Sequence, residues 1–180
     1  MNARTPIALL LLMSCVTSAV AAEQTVMGAW KRHEVELTYM GFTTRYSCDG
    51  LRDKAVLMLR QLGVRPGFKV TSMGCPGFQQ VTDFPRVRMV FEAPELPVKG
   101  QRGLGEPVPA VWQRVQFAER QPRDVERGDC ELVEQFRDKV LPLLATRNLV
   151  DRTSCIPHQL SGSVINLQLE VLVGQAADKR

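Results

Sequence analysis

The sequence predicts an α+β fold with an antiparallel sheet of about six strands and two helices packed on one face of it. Three observations lead to this prediction: two amphipathic helical patterns, several segments in which polar and apolar residues alternate, and cysteines at matching points around each helical pattern. The order strand, helix, strand, strand occurs twice, over about residues 33–93 and 110–173. We therefore expect one domain, residues 23–180, made of two similar halves.

Residues 1–22 have the features of a signal peptide. Arg4 supplies one positive charge, residues 7–13 are apolar, and the small residues 20–22 offer a cleavage site. Removal of this segment leaves a mature chain that we expect to be periplasmic or secreted. The alternative is a lipid anchor at Cys15, because the three residues before it partly match the motif that precedes lipid-modified cysteines.

The rest of the chain gives little indication of membrane or nucleic-acid binding. No later segment reaches the roughly 18 uncharged apolar residues that a membrane span needs, so we expect no transmembrane segment in the mature chain. Without Arg4, the 23 basic residues fall to 22, against 19 acidic residues. This excess is too small and too evenly distributed to predict nucleic acid as a partner.

Two helices are predicted from apolar residues that recur at helical spacing. The first covers about residues 49–62, with the apolar residues Leu51, Ala55, Met58, Leu59 and Leu62. Ser47 can cap its start and Gly63 ends it. The second covers about residues 130–141, with Asp129 as its cap and an apolar stripe of Leu132, Val133, Phe136, Val140 and Leu144. Pro142 lacks an N–H, so the residues around it should be kinked or form a separate short turn.

Four segments alternate between apolar and polar residues, as expected of antiparallel strands with one dry and one solvated face. Their apolar rows are Val35, Leu37 and Tyr39; Val87, Met89 and Phe91; Val111, Val115 and Phe117; and Ile165, Leu167, Leu169 and Val171. The solvated face would carry Arg86, Arg88 and Arg114, which could contact a partner. Shorter extended segments are expected near residues 68–72 and 149–153.

The prolines and tryptophans allow two further predictions. Residues 94–109 contain four prolines and three glycines, a composition that predicts an irregular connector between the halves. Because proline limits the freedom of the unbound chain, such a segment can bind a partner at low ordering cost, although a plain connector is the simpler interpretation. Its binding residues would be Leu96, Val98, Arg102 and Leu104. Trp30 and Trp112 are expected in the core rather than at an interface.

Four cysteines remain after the signal segment, and an even number in an exported chain predicts two disulfides. A helix of about 14 residues is roughly 21 Å long, and a returning strand of about seven residues covers roughly 23 Å. The strand end therefore returns beside the helix start, which pairs Cys48 with Cys75 and Cys130 with Cys155. Cys155 and His158 also have the spacing of metal ligands, but a zinc or copper site needs three or four ligands and the chain has two histidines. We predict no metal and no cofactor.

A nucleophile needs a base, and the base needs an orienting group. His158 lies near Ser161 and Ser163, and Asp151 or Asp129 could orient it, but no Gly-x-Ser-x-Gly motif is present. Polar turn residues are the simpler interpretation, so we predict no catalytic residue. A small secreted hydrolase that uses His158 with Ser161 or Ser163 remains the alternative.

Three sequence runs resemble those of small exported proteins from Gram-negative bacteria that have no known activity. The runs are Tyr46 to Leu51, Gly128 to Val133 and Cys155 to Gln159. The resemblance implies a periplasmic location and assigns no site residue. We expect a non-catalytic periplasmic protein that binds a protein or another envelope component. A second alternative is a structural envelope protein that self-associates through an unpaired sheet edge.

Overall fold

The structure is a computed structural model that describes residues 24–75, 81–97 and 105–175. The predicted signal peptide, Cys15 and the connector residues Val98, Arg102 and Leu104 lie outside these residues. Six strands and two α-helices occur in the order β1 (Val26–Thr38), α1 (Cys48–Gln61), β2 (Lys69–Met73), β3 (Arg86–Glu95), β4 (Pro107–Ala118), α2 (Cys130–Val140), β5 (Thr146–Asp151) and β6 (Asn166–Gly174). Short 3-10 turns, Arg127–Asp129 and Leu141–Leu143, flank α2.

The six strands form one antiparallel sheet in the order β2-β3-β1-β4-β6-β5, which confirms the predicted α+β fold. Each half contributes three adjacent strands, and β1 and β4 meet at the centre of the sheet. Counted outward from this central pair, each half has its first, third and second strand in that order. That central pair is short, extending only from Val26 opposite Ala110 to Ala29 opposite Pro107. The halves therefore share a sheet through a narrow junction and meet elsewhere through side chains and loops.

Both helices pack against the same face of the sheet and form one core with it. Successive side chains of β1 point to opposite faces of the sheet, and Val35 and Leu37 point toward the helices. In β3, Met89 lies opposite Val35 and contributes its side chain to the same core. Leu59 of α1 and Leu132 of α2 are fully buried in this core. Each such aliphatic side chain stabilises the fold by about 1.5–3 kcal/mol on transfer from water, so the predicted apolar rows account for the layer architecture.

The predicted ends of α1 and both predicted cross-links are confirmed. The Ser47 hydroxyl accepts a hydrogen bond of 3.0 Å from the Gly50 N–H at the start of α1, and Gly63 follows its end with φ +66°. The disulfides join Cys48 to Cys75 and Cys130 to Cys155, with Cα–Cα distances of 6.2 and 5.6 Å. The turn that contains Pro142 is a separate 3-10 turn, as expected from its missing N–H.

The prediction that residues 94–109 are irregular is wrong at both ends, because β3 extends to Glu95 and β4 begins at Pro107. The prolines are accommodated by the hydrogen-bonding pattern. The Trp30 N–H donates to the Glu106 carbonyl, so Trp30 directs its backbone groups toward β4 and forms no ladder bond with Pro94 opposite it in β3. The nitrogen of Pro94 consequently faces a side of β3 that β2, whose pairing ends at Val90, does not reach.

The outer face of the sheet, which points away from the helices, is not entirely polar. Val108, Ala110 and Leu172 are buried there, outside the main core. Trp30 and Trp112 lie beside them half-buried, so the prediction that they belong to the core is wrong. The Arg65 guanidinium lies 5.0 Å from the Trp30 ring and the Arg147 guanidinium 4.3 Å from the Trp112 ring, at cation–π distances.

Candidate functional site

Three loop segments, residues 39–46, 81–85 and 154–164, come together on one side of the molecule. We call this area the loop surface. Its segments touch through the Phe42 and His158 rings, 5.2 Å apart, and through a hydrogen bond of 2.9 Å from the Tyr39 N–H to the Pro85 carbonyl. Seven large apolar side chains on these segments are between 38% and 65% exposed: Met40, Phe42, Val81, Phe84, Ile156, Leu160 and Val164. Exposed apolar groups in such proximity are typical of interaction sites.

The first loop segment is held in place by α2. The Glu131 side chain is buried, with 7% of the residue exposed, and one of its carboxylate oxygens accepts hydrogen bonds from the N–H groups of Phe42 and Thr43 at 2.8 and 2.9 Å. One helical turn later, the Gln135 side chain accepts from the Met40 N–H at 3.0 Å. Hydrogen bonds to a charged acceptor contribute more than neutral ones, about 1.5–3 kcal/mol each. The backbone that presents Phe42 is therefore held to α2 by three hydrogen bonds.

A second buried carboxylate, Asp129, joins the two helices below the same loop. One of its oxygens accepts from the Tyr46 hydroxyl, and the other forms an ion pair of 2.6 Å with the Lys54 ammonium of α1. Asp129 was predicted to cap α2, but its side chain bonds instead to the Glu126 N–H at 2.7 Å. The reason is that Asp129 is the last residue of the 3-10 turn that precedes α2. Its carboxylate therefore caps the start of that turn, at Glu126, and not the start of α2.

Two buried tyrosines connect these carboxylates to the loop surface. Their rings pack edge to face, 4.8 Å apart. Burial, together with the Glu131 carboxylate, raises the pKa of Tyr39 above its usual range, and burial with the Asp129 carboxylate does the same to the pKa of Tyr46. Both hydroxyls therefore remain protonated and donate to the carboxylates across the physiological pH range.

An open cleft of about 350 Å³ lies between the first and second loop segments. Its lining includes Tyr39, Phe42, Tyr46 and Phe84 together with polar residues at the rim. Arg45 and Asp83, both 74% exposed, form an ion pair of 3.5 Å between the two segments. The cleft thus offers aromatic walls with a rim whose charges are balanced.

The structure does not assemble the catalytic arrangement considered from the sequence. The Ser163 hydroxyl is buried and already donates to the Gln159 carbonyl at 2.9 Å, while it accepts from the Ile156 N–H. Within the described residues, no hydrogen bond joins His158 to Ser161 or Ser163. The two aspartates are also engaged elsewhere: Asp129 as described above, and Asp151 with Arg137 of α2 and the Thr153 N–H.

The predicted partner-binding residues that the structure describes lie on two strands and on the segment that follows β3. Arg86, Arg88 and Arg114 lie exposed on the outer face, on strands of different halves, and Arg88 forms an ion pair with Glu34. Leu96 is 42% exposed just after β3. In the part of the chain that the structure describes, no three metal-binding side chains cluster, and no helix is long and apolar enough to cross a membrane.

Comparison with known proteins assigns no function. No protein-family model matches the chain, and neither curated proteins nor solved structures show a significant similarity to it.

Sequence reasoning missed the loop surface because its residues have no common spacing. Phe42 and Phe84 stand alone between polar or small residues, and each is unremarkable without its neighbour. Glu131 gave a weak signal: it is a carboxylate on the apolar side of a helix, next to Leu132, where a solvated residue would not be expected.

Proposed function

We propose that this chain is an exported, non-catalytic interaction protein that binds a partner protein through the loop surface. The features of residues 1–22 and the resemblance to small exported proteins support a periplasmic location. Two disulfides are typical of proteins that fold in an oxidising compartment, which supports the same location.

The observation that carries the proposal is the combination of a buried support and an exposed aromatic. Burial of the Glu131 carboxylate costs solvation free energy, and the compensating hydrogen bonds fix the loop at Phe42 and Thr43. A loop that only connected β1 to α1 would not need this support. Because Phe42 is 65% exposed on a backbone held by these hydrogen bonds, it is preorganised to enter an apolar pocket of a partner at low entropic cost.

The charges around the loop surface favour a protein over a lipid surface as the partner. Anionic membranes attract clusters of unpaired basic residues. At the cleft, Arg45 is paired with Asp83, so the rim has no net charge from these two groups. An apolar centre with a balanced polar rim is typical of protein–protein interfaces.

Site-specific photo-crosslinking in the intact cell tests the proposal. Benzoylphenylalanine in place of Phe42 should form an adduct of discrete mass with another protein, and Phe84→Ser in the same chain should reduce that adduct strongly. The matched control carries benzoylphenylalanine in place of Leu149, which is 52% exposed on β5 and outside the three segments of the loop surface. The control should give no such adduct.

Three results would contradict the proposal: identical adducts from positions 42 and 149, no adduct from either, or an adduct only with a second copy of the chain. The last result would favour a self-associating structural protein. Circular dichroism should show unchanged thermal unfolding for Phe84→Ser, because this side chain is 62% exposed.

A further inference from the structure

A second surface, distinct from the loop surface, lies between α1 and the edge strand β2. The space between them is a groove of about 740 Å³. Arg52, Val56 and Arg60 line it from the helix, each four residues from the next and so on one face, and Lys69, Val70 and Thr71 line it from the strand. We call this the β2 groove.

The strand that borders the groove stands at one edge of the sheet. β2 pairs with β3 on one side, in an unbroken register from Lys69 opposite Val90 to Met73 opposite Arg86. It stands at the end of the sheet order, so within the described residues its other edge has no strand partner. An edge strand with an unbroken register offers backbone N–H and C=O groups to an added strand.

The side chains around the groove are basic. No acidic residue is among those that line it. Arg60 and Lys69 are exposed and form no ion pair with any described residue, whereas Arg52 is paired with Asp49 and Asp53. Two positive charges at the Arg60 end are therefore available to a negatively charged ligand.

The second half of the molecule provides an internal comparison. Four residues after the cysteine that begins each helix, α1 has Arg52 and α2 has Glu134. Arg137 of α2 forms an ion pair with Asp151 of β5 and so bridges that helix and that strand. β5 also contains a register shift between Arg147 and Val150, a feature that blunts a sheet edge. The space between helix and edge strand is thus bridged by an ion pair in one half, and no such pair crosses it among the described residues of the other half.

We propose that the β2 groove binds an extended acidic segment of a partner protein, which adds to the outer edge of β2 as a further strand. Successive groove-facing residues of a strand are about 6.8 Å apart, close to the rise of about 6 Å between Arg52, Val56 and Arg60. The segment that fits has an apolar residue opposite Val56 and an acidic residue two positions away, opposite Arg60. A second copy of this chain is disfavoured as the occupant, because two basic grooves repel each other.

Peptide titration followed by NMR tests this proposal. The probe is a blocked pentapeptide, Glu-Thr-Val-Thr-Glu, added to the folded full-length mature chain. It should shift the amide resonances of Lys69 to Met73. Of two versions that carry N-methyl groups on alternate amides, one should lose binding, since strand addition uses the amides of one edge only. A Lys-Thr-Val-Thr-Lys peptide should not bind.

Matched charge reversals locate the site. Arg60→Glu with Lys69→Glu should weaken binding about tenfold or more, since both charges of the open end are reversed. The control, Lys139→Glu with Arg152→Glu, makes the same changes in the last turn of α2 and just after β5. This control should leave the affinity for the peptide unchanged within twofold. The double variant Phe42→Ser with Phe84→Ser should do the same, because its changes lie on the loop surface. This proposal and the proposal for the loop surface can therefore fail independently.

Four outcomes would overturn the proposal. They are the absence of shifts in β2 at millimolar peptide, equal binding of all N-methylated versions, equal loss in the control variant, and a dimer in sedimentation that Lys69→Glu dissociates. The second would mean a general attraction of anions, and the last would assign the edge to self-association.

Discussion

Removal of each disulfide in turn tests how much of the stability depends on chain closure. The two cross-links close loops with sequence separations of 27 and 25 residues. On the chain-entropy model, loops of this length stabilise the fold by about 3.5 kcal/mol each, and the two values differ by less than about 0.1 kcal/mol. In each bond one cysteine is buried, Cys48 or Cys130, and its partner is half-buried. The alanine variants therefore lose similar packing, and each double variant is the control for the other.

Urea unfolding followed by circular dichroism measures the two losses. We expect Cys48→Ala with Cys75→Ala and Cys130→Ala with Cys155→Ala each to lower the free energy of unfolding by about 3.5 kcal/mol, with a larger m value because the unfolded chain expands. For a domain of this size, the corresponding fall in Tm is about 7–14 °C. A difference of more than about 1.5 kcal/mol between the variants, or a loss below about 1 kcal/mol in both, would refute loop closure as the main source of this stabilisation.

Two further predictions concern buried polar groups. Asp129→Ala should lower the free energy of unfolding by about 3 kcal/mol, because the Lys54 ammonium and the Tyr46 hydroxyl lose their partner. Lys54→Met should lower the free energy of unfolding by less in the same urea assay, since Asp129 keeps two other hydrogen-bond donors. Burial lowers the pKa of His33, although Glu95 opposes this effect, and its Nε2 has no hydrogen-bond partner among the described residues. The unfolded chain therefore binds the proton first, and stability should fall as pH drops below about 6.5. His33→Phe should flatten that dependence in urea titrations between pH 7 and pH 5; an unchanged slope would show that other groups cause it.

The helices and disulfides could be predicted because they depend on short-range spacing. Apolar residues such as Leu51, Ala55 and Leu59 recur at helical spacing, and the returning strand must end near the helix start whatever the rest of the chain does. The start of β1 was not predicted because its residues lack such a regular spacing. Between Val26 and Lys31 the residues do not alternate, because Trp30 lies in the apolar patch of the outer face, where a polar residue would be expected.

The loop surface could not be predicted because it depends on how the halves sit against each other. Phe42 and His158 are far apart in sequence and belong to different halves, yet their rings are in contact. Their approach is set by Glu131 and Asp129, which connect α2 to the first half. Local periodicity contains no information about such contacts. The same limit applies to Ser163, whose hydroxyl partners are visible only once the loop around it has folded.

The two halves share a topology but differ in the side chains that decide what each can bind. Between helix and edge strand, the first half has Arg60 and Lys69 without ion pairs among the described residues, and the second half has the Arg137–Asp151 pair. These differences leave the core rows unchanged, because Arg60 and Arg137 lie on the solvated sides of their helices and Lys69 and Asp151 are exposed on the edge strands. A scaffold held by two similar cross-linked modules can therefore change one groove without altering the other. This separation explains how two halves with near-mirrored strand order differ at their edges, one with an ion pair between helix and edge strand and the other with basic residues there that have no ion-pair partner in the part of the chain that the structure describes.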